Sequence, residues 1–311
     1  MHSFSRRRFV ATAIISALVV ACTGNQAGKR VESLSSPTLT KNPTRIVALE
    51  WVYVEDLLAL GIQPVGVADI SGYKQFVNVQ LKLADTVVDV GTRQEPSLEA
   101  IAKLEPELIL GVELRHEMIY DTLSSIAPTL LFNPYPPPNG PNQLDEMEQT
   151  FLAIADAVNR RAPGETVLQN MRKTFKTAEQ QLRLNDLSDS SFILVHFVPG
   201  ALQPRLFTDN SMAVQVLSQI GLKNAWKGEI DRFGFNTVGV EALPAVQQAN
   251  FLYIAEEDVQ WQQFQNNPVW KGLEFVKESR IYPIGADIWV FGGPLSAQIL
   301  VNKVVAALTN R

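Results

Sequence analysis

The chain has 311 residues, 46% of them apolar and 19% charged, with a formal charge of −5, three histidines and one cysteine. Such a length and apolar content call for a two-lobed globular body and exclude disorder for the bulk of the chain. A single cysteine excludes a disulfide framework, an iron–sulfur cluster and a CxxC pair, and an acidic balance without a basic stripe argues against nucleic acid.

Arg6, Arg7 and Arg8 precede a small and apolar run, Val10 to Ala21, that closes on Cys22. The run is too short to span a bilayer as a helix. A basic start, an apolar middle and small residues before the break predict a signal peptide over residues 1–21. The ending Leu18-Val19-Val20-Ala21-Cys22 resembles a bacterial lipobox, which makes Cys22 a lipidated N-terminus on the exported side of the cytoplasmic membrane. Ser5-Arg6-Arg7-Arg8-Phe9-Val10 also resembles a twin-arginine signal, and the general secretory route stays open beside it. Removing the signal takes away three arginines and no acid, moving the formal charge from −5 to −8. Residues 22–42, rich in Ser, Thr, Asn and Gly, predict a flexible tether.

Ordered sequence starts at Arg45-Ile46-Val47-Ala48-Leu49, a short apolar run suited to a buried strand. Helical spacing from Val54 to Leu60 stops at Gly61. Val65–Val67, Val87–Val90 and Leu108–Leu110 read as further strands, with a helix from Pro96-Ser97 to Leu104 between the last two. This alternation predicts an α/β lobe over residues 43–162. Residues 187–311 repeat the order loosely: Phe192–Val195 is a strand and Met212–Ile220 a helix stopped at Gly221. Val240-Glu241-Ala242-Leu243 before Phe251–Ile254 then echoes Leu98-Glu99-Ala100-Ile101 before Leu108–Leu110. Between the halves, residues 163–186 place Val167, Leu168, Met171, Phe175, Ala178 and Leu182 on one helical stripe. From Pro163 to Leu184, at about 1.5 Å per residue, this helix is roughly 33 Å long, enough to join both lobes and resist wide hinge opening.

No dinucleotide, P-loop or nucleophile-elbow motif is present. His116-Glu117-Met118-Ile119-Tyr120 begins like HExxH but has tyrosine where the second zinc ligand belongs. With His2 in the signal, His116 and His196 remain, too few for a protein-built transition-metal site. An exported, tethered and bilobed chain without catalytic motifs fits a transport receptor. The alternative from another class is an exported lipoprotein hydrolase, which needs Ser71, Ser211 or Ser296 to meet His116 or His196.

Several stretches carry a family resemblance. They are Arg45-Ile46-Val47-Ala48-Leu49-Glu50-Trp51, Pro64-Val65-Gly66-Val67-Ala68-Asp69, Asp89-Val90-Gly91-Thr92-Arg93-Gln94-Glu95-Pro96, Asn224-Ala225-Trp226-Lys227-Gly228-Glu229 and Gly292-Gly293-Pro294-Leu295-Ser296-Ala297. From about Asn42 to Leu308 the chain resembles the periplasmic iron(III)-siderophore-binding proteins of ABC importers, most of all the ferric hydroxamate (ferrichrome) branch. The resemblance implies two α/β lobes joined by one long α-helix, the helical-backbone (class III) architecture, with ligand in a shallow cleft between lobes. It implies no catalytic residue and no protein ligand to iron, since the metal arrives already wrapped by the siderophore.

Arg93 matches the family arginine that hydrogen-bonds the iron-bound hydroxamate oxygens, a role suited to a planar guanidinium facing clustered anionic oxygens. The family's second polar contact is a tyrosine after the next strand. Here Leu114-Arg115-His116 occupies that stretch, so either Arg115 takes its place or Tyr120 does. Two arginines suit a more anionic ligand, such as a citrate-hydroxamate or a catecholate. Trp51 and Trp289 match aromatic cleft residues, Phe291 stands where the relatives have tyrosine, and Phe233 and Phe76 each replace a tryptophan. Glu99 and Glu241 match the acidic residues, one per lobe, that dock on permease arginines. The implied protein is a monomer that serves a permease and its ATPase. Cobalamin, haem and a catecholate siderophore are the rival cargoes within the family.

Overall fold

Three fully buried apolar residues make the first strand, β1 (Ile46–Ala48), of a computed structural model that describes residues 42–137, 140–201, 203–256 and 259–309. The expected signal peptide, Cys22 and the tether up to residue 41 lie outside the described residues. From β1 the chain alternates helix and strand. In order come α1 (Trp51–Ala59), β2 (Gly66–Val67), α2 (Ile70–Phe76), β3 (Val88–Asp89), α3 (Leu98–Lys103), β4 (Leu108–Val112), α4 (Glu113–His116), α5 (Tyr120–Ile126) and β5 (Thr129–Phe132). The five strands pair in parallel, ordered β3-β2-β1-β4-β5. Parallel neighbours need a crossover, which is why a helix follows nearly every short strand. Gly61, at φ +76°, takes the left-handed position after α1 that the sequence assigns to it.

Two helices then follow without a strand, α6 (Gln143–Ala157) and α7 (Arg161–Leu184). α7 begins two residues before the expected start. Pro163 sits in its first turn, where no intrahelical N–H is required. Its 24 residues give a length of about 36 Å. Leu168, Met171, Phe175, Ala178 and Leu182 are buried and Val167 half-buried, so the stripe read in the sequence is the packing face.

The second half contains β6 (Ser191–His196), β7 (Arg205–Phe207), α8 (Met212–Gln219), β8 (Lys223–Asn224), β9 (Phe235–Thr237), β10 (Asn250–Ile254), α9 (Val259–Asn266), α10 (Pro268–Gly272), α11 (Glu274–Lys277), β11 (Ile281–Pro283) and α12 (Pro294–Thr309). Its sheet runs β11-β10-β6-β7-β9, with β8 also on β6, and β7 is antiparallel to both neighbours. The repeat of the first half is therefore partial. Where the sequence echo implies a second α-helix, Val240–Val246 forms a 3-10 helix with Pro244 inside it. Proline has no N–H to continue an α-helical ladder.

The architecture is thus two α/β lobes joined by one long helix. One continuous core runs from Ile46 and Leu57 through Phe151, Leu168 and Leu182 to Leu252, Val301 and Leu308. Polar ties add to it. Glu55 on α1 accepts from Leu295 N–H, Ser296 N–H and the Ser296 hydroxyl at the start of α12, at 2.9, 2.8 and 2.6 Å. Gln143 at the start of α6 donates to Arg232 O and accepts from Met212 N–H. Asn78 bonds to Asp287 across the two halves.

Candidate ligand-binding site

In the first sheet the chain goes from β1 outward through β2 to β3, then returns to β4 on the other side of β1. The gap between the carboxyl ends of β1 and β4 is the topological switch point, where crossover helices leave in opposite directions and open a crevice. Glu50 follows β1, Arg93 the end of β3, Arg115 the end of β4 and Tyr135 the end of β5. Four parallel strands thus deliver four polar side chains to one rim.

Glu50 is the centre of that cluster. Its side chain accepts from the Trp51 N–H and so caps α1. The same carboxylate takes Arg93 Nη1 on Oε1 at 2.8 Å and Arg115 Nη1 on Oε2 at 2.6 Å. Glu50 is 3% exposed, while the two arginine side chains keep 16% and 18%. The Arg93 guanidinium also lies 3.5 Å from the Trp51 ring centroid, a stacked cation–π contact. Its Nε is buried, with Asp69 Oδ2 3.9 Å away.

His116 locks the backbone beneath this network. Its Nδ1 accepts from Val112 N–H, so Nε2 carries the proton and donates to Arg93 O, both at 2.9 Å. Burial holds the imidazole below its ordinary value of 6.5 and keeps it neutral. Two glycines make room nearby. Gly91, at φ +98°, turns the chain from β3 towards Arg93, and a side chain at Gly72 would strike the Trp51 ring.

The aromatic residues picked out from the sequence come together in one connected chain. Phe76 stacks on Trp51 at 6.0 Å, Trp51 meets Trp289 at 5.1 Å, and Trp289 meets Phe291 at 5.4 Å. Phe291 touches Tyr135, which touches Phe233 at 5.2 Å. Trp51 is itself covered, serving as the platform under Arg93, whereas Trp289, Phe291, Phe233 and Phe76 stay partly open. Arg115, one of the two candidates for the family's second polar contact, lies beside Arg93 on the Glu50 carboxylate. Tyr120, the other candidate, starts α5 and is not among the groups bonded to Glu50.

Three contributors escaped the sequence reading. Tyr135 sits in a proline-rich stretch and brings a buried hydroxyl against Arg115. Burial, then the Glu50 charge, pushes that hydroxyl up to about 12, so it stays protonated. Arg205, from the second lobe, stands opposite His196 at the end of β6 and places its guanidinium 4.5 Å from the Phe235 ring. Burial lowers its pKa from the ordinary arginine value. Phe235 extends the aromatic chain from Phe233 and Phe291. A lone aromatic among prolines was the available signal for Tyr135. Arg205 and Phe235 lie in short alternating strands that look alike in sequence whether they face a cleft or solvent.

Residues 46–288 match the periplasmic binding protein family. The chain belongs to that family. It is 32% identical to the iron(3+)-hydroxamate-binding protein FhuD of Escherichia coli, over 86% of this chain and 88% of the relative. It is 28% identical to the Fe(3+)-citrate-binding protein YfmC of Bacillus subtilis, over 96% of this chain and 97% of that one. The crystal structure of the Fe3+–Desferal-bound siderophore-binding protein FhuD of Vibrio cholerae superposes with a TM-score of 0.77 at 28% identity, covering 85% of this chain and 97% of the other.

A periplasmic binding protein is a receptor and not an enzyme, and the serines agree. Ser296 donates to Glu55, Ser211 caps α8 and donates to Thr208 O, and Ser71 is exposed. Both ring nitrogens of His116 are engaged by backbone, and burial, then Arg205, drives His196 down to about 4. Among the described residues no group of three His, Cys, Asp or Glu side chains converges on a metal position. Two depressions lie elsewhere, one of about 680 Å³ between β11 and the end of α12 and one of about 490 Å³ around Asn42 and Arg160. They lack the arginines and the aromatic wall. Glu99 and Glu241 both fall in the first turn of their segments and are exposed, Glu99 being paired with Lys103 at 2.7 Å.

Proposed function

We propose that this protein is the lipid-anchored receptor of an ABC importer, capturing a ferric siderophore of hydroxamate or citrate-hydroxamate type outside the cytoplasmic membrane for delivery to the permease. The observation that carries the reading is the pair Arg93 and Arg115, held side by side by one buried carboxylate over Trp51 and flanked by an aromatic wall. A ferric siderophore presents iron-bound oxygens with concentrated negative charge and apolar flanks. The guanidinium pair matches the oxygens, and Trp289, Phe291, Phe233 and Phe76 match the flanks. Hydroxamate and citrate ligands of the relatives support this ligand class. Arg115 in place of a neutral tyrosine, with Arg205 across the cleft, favours a ligand more anionic than a plain trihydroxamate. Cys22 supplies the anchor, and Glu99 with Glu241 the contacts to permease arginines. The tether of residues 22–42 gives the two lobes, 43–162 and 187–311, reach to the permease.

Titrating the purified chain in mild detergent with ferric hydroxamates, ferric citrate, ferric catecholates, haem and cobalamin, while following tryptophan emission, tests the reading. Saturable quenching by a ferric hydroxamate or citrate-hydroxamate is expected, since Trp51 and Trp289 lie in the site. Arg93→Ala should weaken that binding by roughly tenfold to a hundredfold, the worth of charge-assisted bonds. No saturable quenching by any ferric siderophore refutes the receptor assignment.

A further inference from the structure

Glu50 is an acidic residue at the centre of a site whose task is to hold anionic oxygens. Its carboxylate cannot be a direct attraction for such a ligand, so its burial between two arginines needs another explanation. The strand order supplies it. Arg93 comes from the loop after β3 and Arg115 from α4, which directly follows β4; the two strands are separated in the sheet by β2 and β1. Glu50 follows β1, between them, and gives each guanidinium one oxygen. Without that bridge two like charges on separate segments would face each other and their side chains would swing apart. With it they are fixed in one geometry before a ligand arrives, and the positive charge of the pair is halved. Asp69, 3.9 Å from Arg93 Nε, trims it further.

Resting on the receptor reading, we propose that Glu50 is the positioning residue that sets which net charge of ferric complex the cleft accepts. It pre-orients Arg93 and Arg115, and its own charge tempers them, so that neutral and weakly anionic complexes are held while strongly polyanionic ones are discriminated against. Specificity of this kind works by a repulsive element placed behind the attractive one. Glu50→Gln keeps the size and one acceptor oxygen but removes the charge; Glu50→Asp keeps the charge and shortens the reach.

The test compares wild type, Glu50→Gln and Glu50→Asp with three probes: cationic ferrioxamine B, neutral ferrichrome and polyanionic ferric enterobactin. The readout is the ratio of dissociation constants between probes, together with its salt dependence. In Glu50→Gln the preference should move towards ferric enterobactin over ferrioxamine B by about tenfold at low salt, and the shift should shrink as salt rises. Glu50→Asp should lose affinity for all probes by a common factor and keep the wild-type ratio. A Glu50→Gln ratio equal to wild type, or the same ratio shift in Glu50→Asp, overturns the charge-setting role. A second readout uses the unliganded chain: phenylglyoxal modification of Arg93 and Arg115, followed by mass spectrometry, should run several-fold faster in Glu50→Gln. Unchanged arginine reactivity overturns the positioning role. Failure of wild type to bind any probe refutes the receptor reading alone, because arginine protection is measured without ligand.

Discussion

Glu146→Gln should remove part of the pH dependence of this protein's stability. Glu146, on α6, faces a cavity of about 20 Å³ where the lobes meet, lined also by Tyr53 and Asp56 of α1, Gln143 and Thr150 of α6, Tyr135 and Gly292. Burial pushes its carboxyl from 4.5 up to about 7, opposed only by the Thr150 hydroxyl, which donates at 2.5 Å. Because the folded value lies above the unfolded one, the protonated group favours folding. Its contribution is complete below pH 4.5 and is lost as pH rises through 7. At about 1.4 kcal/mol per tenfold, the rise is worth roughly 3 kcal/mol. The side chain keeps some contact with solvent, which lowers the expectation to about 2 kcal/mol. Glutamine can still accept from Thr150 and does not titrate. Compared with wild type, the variant should gain about 2 kcal/mol near pH 8, or some 4 °C in melting temperature, and almost nothing near pH 4. Urea or thermal melts of both proteins at several pH values between these limits measure the difference. The difference is the proper quantity, because Glu55, raised by burial first of all, titrates in both proteins, and Asp56, raised by burial and then by Glu55, loses only the smallest of its raising causes, the Glu146 charge. A stability difference that stays constant across that range refutes the reasoning.

Two further outcomes follow from the ties between lobes and from the exposed acids. Glu55→Ala removes three bonds that cap α12 and should cost about 3 kcal/mol in equilibrium urea unfolding; a loss below about 1 kcal/mol would mean that the capping carboxylate does not hold the lobes. Glu99→Ala combined with Glu241→Ala should leave siderophore affinity within about twofold while iron uptake by cells falls at least about tenfold, and normal uptake rules out docking through these residues.

The parts of the fold legible in sequence are those governed by local periodicity. The α7 stripe, the buried run of β1 and the glycine stops after α1 and α8 each record one element's own burial pattern or backbone need. The echo at Val240–Val246 misled, because similar residues around Pro244 pack as a 3-10 helix. Arg93 was legible because it rides in a motif whose Gly91 turn is itself encoded locally. The pairing of Arg115 with Glu50 was not, since nothing local in the sequence relates a residue after β4 to one after β1.

By itself, then, the sequence determined two α/β halves joined by one long helix, with an arginine at a strand end and the motifs of a binding-protein family. Only the tertiary structure decided that Glu50 bridges two arginines, that Tyr135 from the segment after β5 meets Arg115, and that Glu55 ties α1 to α12. Each of these depends on strand order and on which loops the sheets bring to one rim. Strand order is set by packing between segments distant in the chain, and no local pattern records it.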